Sequence, residues 1–381
     1  MYMPKKVVIV GGGVGGSFVA NKLAHKLSSE VRKGEVEITV IEPARELHYQ
    51  PGYLYVPFME LPSDVMFRSP KKVLSPLVKL VEKPAAKIDL KARKVQTADG
   101  AEYPYDYLVV ATGSVARTDA IPGFNKTWYT LWTYEGAKAL RQRLRSFTKG
   151  TLVFSVTSTP YKCPVAPYEF LFMFDDYLMS TGLKKDVKMI FTTIAPHLHA
   201  QPNVNKFLEE QMKLRGIEYR TKFEVKEIKE GEVVGPETIK ADLVVAVPKH
   251  TPADVVVNSG LVDQSGWLPV DKNTLQIQGG SGVEYGLGDT TNLAVPKAGS
   301  VAHFQSEVVA SRIHEEIALG YADTVYRGRV ICFIMTGFEE ATQVSWNYEN
   351  PALYPPPSSK FFARLKDLTN YSIWGVMRCG L

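Results

Sequence analysis

Three cysteines in 381 residues, at positions 163, 332 and 379, are too few and too widely spaced for a disulfide framework or a four-ligand structural zinc site. No metal site is expected, and any thiol chemistry must come from cysteines that meet in space. No run of about 20 apolar residues occurs, so no spanning helix is expected. The opening Met1 to Lys6 passes directly into the apolar run Val7 to Val10. That run is too short for a signal sequence, so export by the general secretory route is not expected. Basic blocks are missing as well: the net charge of +5 is spread along the chain. Nucleic acid is therefore not an expected partner, while an anionic cofactor or lipid surface would suit the slight positive balance.

What is present starts with a glycine loop. Val7 to Val10 reads as a buried strand, Gly11-Gly-Gly-Val-Gly-Gly16 as a tight turn, Ser17 to Leu27 as a helix and Glu37 to Glu42 as a second strand, together one βαβ unit. Gly11, Gly13 and Gly16 then form a G-x-G-x-x-G loop in its expected setting. Backbone N–H groups and a helix N-terminus can approach a pyrophosphate there, and Glu42 can accept from the adenosine ribose. Short strands over 86–90, 94–97 and 107–110 lead to Ala111-Thr112-Gly113. Gly286-Leu-Gly288-Asp289 precedes a helical pattern over 300–319 and resembles the second flavin signature of two-dinucleotide flavoproteins. In that setting Asp289 binds a ribityl hydroxyl, the helix N-terminus faces the flavin, and Lys297 adds positive charge. Together with Thr112 and Gly113, this implies FAD, bound non-covalently, in the first site.

Between these motifs a second glycine fingerprint is missing. The strand Leu152 to Val156 is followed by Thr157-Ser-Thr-Pro-Tyr, where side chains would block a pyrophosphate and Pro160 lacks a donor. Direct reduction by a nicotinamide is not expected. Electrons need another entry, and Cys163 in Cys-Pro-Val-Ala-Pro-Tyr-Glu169 lies at a strand-to-helix junction, where a helix N-terminus can lower a thiol pKa. The helix is expected over about 168–181, with further strands over 187–192 and 243–247. Cys332 lies in a strand within Arg329 to Gly337. The fold class is thus α/β, with two Rossmann-like dinucleotide-binding domains and a C-terminal membrane-associating region. The expected boundaries are 1–115 with 270–320 for FAD, 116–269 for the second domain, and 321–381 for the terminal unit.

With these residues in view, the chain resembles the sulfide:quinone oxidoreductases, flavoproteins of the disulfide reductase superfamily. The resemblance runs through residues 4 to 375: the Gly11 to Gly16 loop, Glu42, Tyr49-Gln-Pro-Gly-Tyr-Leu-Tyr, Ala111-Thr-Gly, the Cys163 segment, Gly288-Asp289, Pro296-Lys-Ala-Gly and Cys332-Phe. It implies that Cys163 and Cys332 flank the flavin as a disulfide or sulfur-bridged pair. Sulfide opens the bridge to a persulfide, and Cys332, nearest the flavin, passes the electrons on. Many relatives carry a third redox cysteine where this chain has Trp132, and Cys379 in the tail does not replace it.

Proton handling falls to Glu169, one turn beyond Cys163, or to His197 and His199, near a region where the family has a histidine. Phe333 and Phe338, with Ile334, Met335, Trp346 and Tyr348, are candidates for an apolar quinone slot. From Lys360 onward, Phe361, Phe362, Leu365, Leu368, Tyr371 and Trp374 alternate with Arg364, Lys366 and Asp367 as a short amphipathic helix suited to a bilayer interface. The expected partners are sulfide, a membrane quinone and a membrane surface. The expected location is a peripheral, monotopic one on the cytoplasmic face, and a homo-oligomer stays open. Three other readings remain: the flavin subunit of a sulfide dehydrogenase that donates to cytochrome c, a type II NADH:quinone oxidoreductase, and a flavin-binding interaction protein without turnover.

Overall fold

The computed structural model describes residues 3–381. Along the chain, β1 (Lys5–Val10), α1 (Val14–Lys26), β2 (Val36–Ile41), β3 (Lys79–Val81) and β4 (Tyr107–Val110) open the first layer. β5 (Ser114–Arg117) leads out of it. Then α2 (Tyr134–Arg145), β6 (Gly150–Val156), α3 (Ala166–Ser180), β7 (Val187–Thr193), α4 (Pro202–Leu214), β8 (Glu218–Arg220) and β9 (Leu243–Val247) build the second layer. β10 (Lys249–Pro252) returns antiparallel to β5, and β11 (Glu284–Gly286) completes the first sheet. The chain ends with α5 (Gly299–Leu319), β12 (Val330–Met335), β13 (Ala341–Trp346) and α6 (Lys360–Cys379).

Both main sheets are parallel. The first has the order β11-β4-β1-β2-β3 and the second β8-β7-β6-β9. Their strands are continuous apolar runs because both faces are covered: Val7 to Val10 and Leu243 to Val247 are buried along their whole length. In the first sheet the chain steps from β1 to β2 on one side and later adds β4 on the other. The glycine loop after β1 therefore opens at the point where strand order reverses, the crevice in which doubly wound sheets bind ligands.

The structure differs from the sequence reading in three places. α1 starts at Val14, directly after the Gly13 N-cap and three residues ahead of the expected Ser17. Residues 254–268 do not stay with the second sheet: Val256 and Leu268 pack with Val8, Val10 and Val110 on the first. The chain thus crosses back near β10, ahead of the expected boundary at 269. The terminal unit is no appendage either, since Ile334, Val344 and Ala363 belong to the large core around α3 and β6. Among the described residues no helix is long and apolar enough to cross a membrane.

Candidate active site

The cofactor cradle is assembled at the C-terminal ends of β1, β4 and β11. Gly11 has φ 100°, and a methyl group on it would meet the Ala111 carbonyl, while one on Gly16 would collide with the Gly11 carbonyl. Only glycine allows β1, the loop and α1 to close this tightly. A methyl on Gly13 or on Gly113 would meet nothing within 4 Å, so the loop is open on the side a ligand would take. Glu42 fixes the loop by accepting from the N–H groups of Gly12 (2.7 Å) and Ala44 (2.8 Å). Each of its oxygens keeps a further lone pair for a ribose. Neither α1 nor α5 has a capping side chain or an acidic residue in its first turn, so both N-termini can receive an anion. Asp289 accepts from the Ser114 hydroxyl at 3.3 Å, and the Gly288 N–H donates to Gln305 Oε1 at 2.6 Å. These residues fit a flavin dinucleotide.

Lys297 is held differently from the expectation. Its ammonium donates to the carbonyls of Asp289 (2.7 Å) and Thr291 (2.9 Å) and stands 3.4 Å from the Trp267 ring centroid. It supports the Asp289 turn. Burial lowers its pKa to about 8, against the pull of Asp289.

The sulfur site lies where the second sheet, α5 and the terminal hairpin meet. Cys163 sits between β6 and α3 with φ 52°, a left-handed backbone that costs a non-glycine residue about 1–2 kcal/mol. Its N–H donates to the Lys297 carbonyl at 2.8 Å, which ties the thiol segment to the flavin side. Cys332, on β12, joins the same core cluster as Cys163. Both are half-buried free thiols. Crowding and the nearby Glu169 push the pKa of each upward, Cys332 to about 12, while Lys366 and the Ser300 hydroxyl pull Cys332 part of the way back. The Cys332 charge raises Cys163 further. In the dithiol state both therefore keep their protons at neutral pH.

Glu169 is buried at 2% exposure on the first turn of α3. It accepts from the Met335 N–H at 2.9 Å and pairs with Lys366 of α6. Burial opposes the Lys366 charge, but Glu169 and Tyr55 hold its pKa above the ordinary lysine value. Lys366 is the residue that sequence reasoning missed, having been placed with the polar face of the tail. The signal was there: Ala363, Lys366, Asn370, Trp374 and Met377 recur at helical spacing, and that stripe faces the protein.

The histidines do not join this group. His197 is exposed. His199 is enclosed against Trp346 with ring centroids 5.7 Å apart, and its Nδ1 accepts from the Gln201 N–H at 3.0 Å. Burial lowers its pKa to about 4, with a further push from His197, so it stays neutral and shields no thiolate. The expected aromatic slot is also dispersed. Phe338 packs edge to face on Phe58 at 5.4 Å, Tyr348 on Tyr326 at 5.8 Å, and Phe333 alternates with Cys332 onto the other face of β12. Trp132 is buried and donates from its indole to the Lys162 carbonyl at 2.8 Å, beside Cys163. The exposed Cys379 lies at the end of α6. Among the described residues no cluster of metal ligands occurs.

Residues 5–154 match the pyridine nucleotide-disulphide oxidoreductase family, and residues 137–256 match the central region of the sulfide dehydrogenase (flavocytochrome c) flavoprotein chain. The mitochondrial sulfide:quinone oxidoreductase of Dictyostelium discoideum is 29% identical over 358 residues, covering 90% of this chain and 78% of that protein. Its Mus musculus counterpart is 23% identical over 402 residues, covering 98% and 86%. The crystal structure of the sulfide:quinone oxidoreductase of Aquifex aeolicus superposes with a TM-score of 0.86 at 21% identity, covering 99% of this chain and 92% of that one. The chain is thus similar along most of its length to sulfide:quinone oxidoreductases, and over its first 150 residues to the pyridine nucleotide-disulphide oxidoreductases.

Proposed function

We propose that the protein oxidises sulfide through Cys163 and Cys332 and reduces a membrane quinone, with FAD held non-covalently by Gly11, Gly13, Gly16, Glu42, Thr112, Gly113, Gly288 and Asp289. The observation that carries this reading is that both cysteines pack on one core and lie close enough to the buried Glu169 and Lys366 pair to feel its charges, beside a second dinucleotide fold whose loop has no glycine. When bound, FAD supplies the two-electron link between sulfur and quinone.

The chain's own residues do the remaining work. Hydrosulfide attacks the Cys163 to Cys332 disulfide: one S–S bond breaks, another forms as a persulfide on one cysteine, and the other cysteine leaves as a thiolate. In this crowded site such a thiolate is a strong base and nucleophile, and the Lys366 ammonium is the cation that steadies it. Glu169 holds Lys366 in place and, through the Met335 N–H, sets the position of β12. The outward face of α6 rests on the cytoplasmic membrane surface, from which the quinone reaches the flavin.

Anaerobic sulfide should bleach the flavin absorbance while NADH leaves it unchanged, and decylubiquinone should restore the oxidised spectrum. Bleaching by NADH alone would overturn the assignment. The match to a sulfide dehydrogenase flavoprotein makes cytochrome c the acceptor to compare: reoxidation by cytochrome c but not by quinone would replace the quinone reading. Cys332→Ser should abolish bleaching, and unchanged bleaching would remove that thiol from the reaction.

A further inference from the structure

The peptide groups around Cys163 are tied down one by one. Its N–H donates to the Lys297 carbonyl at 2.8 Å, and its carbonyl accepts from the Ala166 N–H at 3.0 Å. The carbonyls on either side are held by two aromatic residues. The Trp132 indole N–H donates to the Lys162 carbonyl at 2.8 Å, and the Tyr161 hydroxyl donates to the Pro164 carbonyl at 3.3 Å. The two rings meet edge to face with centroids 6.0 Å apart, and both side chains are buried. Trp132 is itself anchored at the start of α2. Its own N–H donates to Thr130 Oγ1 at 3.3 Å, and the next residue, Thr133, caps the helix by accepting from the Gly136 N–H at 3.1 Å. Phe154 and His250 close on the indole edge to face. A phenylalanine would keep an aromatic ring in most of this space; the indole adds a donor, and a buried donor has to be matched. Its acceptor is the peptide bond that adjoins the redox thiol.

We propose that Trp132, supported by Tyr161, is a positioning residue for Cys163: it clamps the carbonyls that flank the cysteine and keeps the thiol turned toward Cys332. The inference rests on the reading that these two cysteines act as a pair. Without the clamp, residue 163 is free to relax from the left-handed region to the extended backbone that non-glycine residues prefer. Neither thiol is lost by that change, but their effective concentration for each other falls.

Glutathione exchange measures that quantity. One glutathione disulfide and two protein thiols give the protein disulfide and two glutathione thiols, so the equilibrium constant reports how well the pair is held together. The measurement uses the flavin-loaded protein carrying Cys379→Ser, without sulfide or quinone. Trp132→Phe keeps a ring and deletes the donor, and the constant should fall about tenfold, as the loss of one buried hydrogen bond predicts. A fall of less than about threefold overturns the proposal and leaves Trp132 a packing residue, even where the melting temperature drops. Should Trp132→Phe fail to fold, Tyr161→Phe decides instead: a fall of about twofold or more supports the clamp, and a smaller one overturns it. Failure of sulfide to bleach the parent flavin would sink the functional reading while leaving this equilibrium unchanged.

Discussion

Glu169 and Lys366 are close to fully enclosed, at 2% and 12% side-chain exposure, and each is the other's main compensation for leaving water. Removing one of such a pair strands a buried charge, which costs about 3–5 kcal/mol, whereas removing both is much cheaper. Lys366→Met should therefore destabilise the protein strongly in chemical denaturation, and adding Glu169→Gln should recover most of the loss. A single substitution as mild as the double would show that the pair carries no coupling. Cys163 and Glu169 stood out as candidates in the sequence because a thiol at a strand-to-helix junction and a carboxylate one turn later mark local chemistry, whereas Cys332, inside a strand, stood out only through the family resemblance. For Lys366 the helical stripe marked an inward position, but not its partner Glu169, which is nearly 200 positions away in the chain and is brought to it only by packing.

At the level of elements, α6 shows the division most clearly. The sequence pattern gives an amphipathic helix, and the structure extends it to 20 residues. Phe362 and Trp374 turn to the protein, with the Trp374 indole donating to the Val65 carbonyl at 2.7 Å. Phe361, Leu368 and Tyr371 are left at 65%, 64% and 57% exposure, with Arg364 among them. An exposed apolar stripe of this kind suits the bilayer interface proposed for this face. Each large side chain contributes about 1.5–3 kcal/mol when buried in an apolar medium. Changing Phe361, Leu368 and Tyr371 together to Ser should lower binding to anionic liposomes by at least about a hundredfold in co-sedimentation, with the flavin spectrum unchanged. Undiminished binding would place the membrane surface elsewhere on the molecule.

Across the whole molecule, buried neutral histidines set an acid limit. Burial lowers His199 to about 4 and His250 to about 3, and lowers His303 as well. The unfolded chain takes up protons at these sites from about pH 6.5 downward, whereas the folded protein does not, so stability falls as pH falls through that window. His199 and His250 should each remove about 2 kcal/mol by pH 5, ahead of the carboxylates, whose unfolded values lie lower. Urea unfolding at pH 7.5 and pH 5.0 should show this loss, and His199→Gln should reduce it. Equal stability at both pH values would mean that these rings are not closed off from water.

The amino-acid sequence by itself determined the parallel α/β architecture, the glycine cradle and the loss of the second one, since strand burial, tight turns and helix entry are written in neighbouring residues. It also marked Cys163, and the resemblance to a known family added Cys332. Only the tertiary structure decided that Lys366 serves Glu169, that His197 and His199 stand apart from the thiols, that Lys297 braces the Asp289 turn, and that Trp132 adjoins Cys163. Those outcomes depend on which faces meet across elements far apart in the chain, and the burial that follows sets the charge on each group.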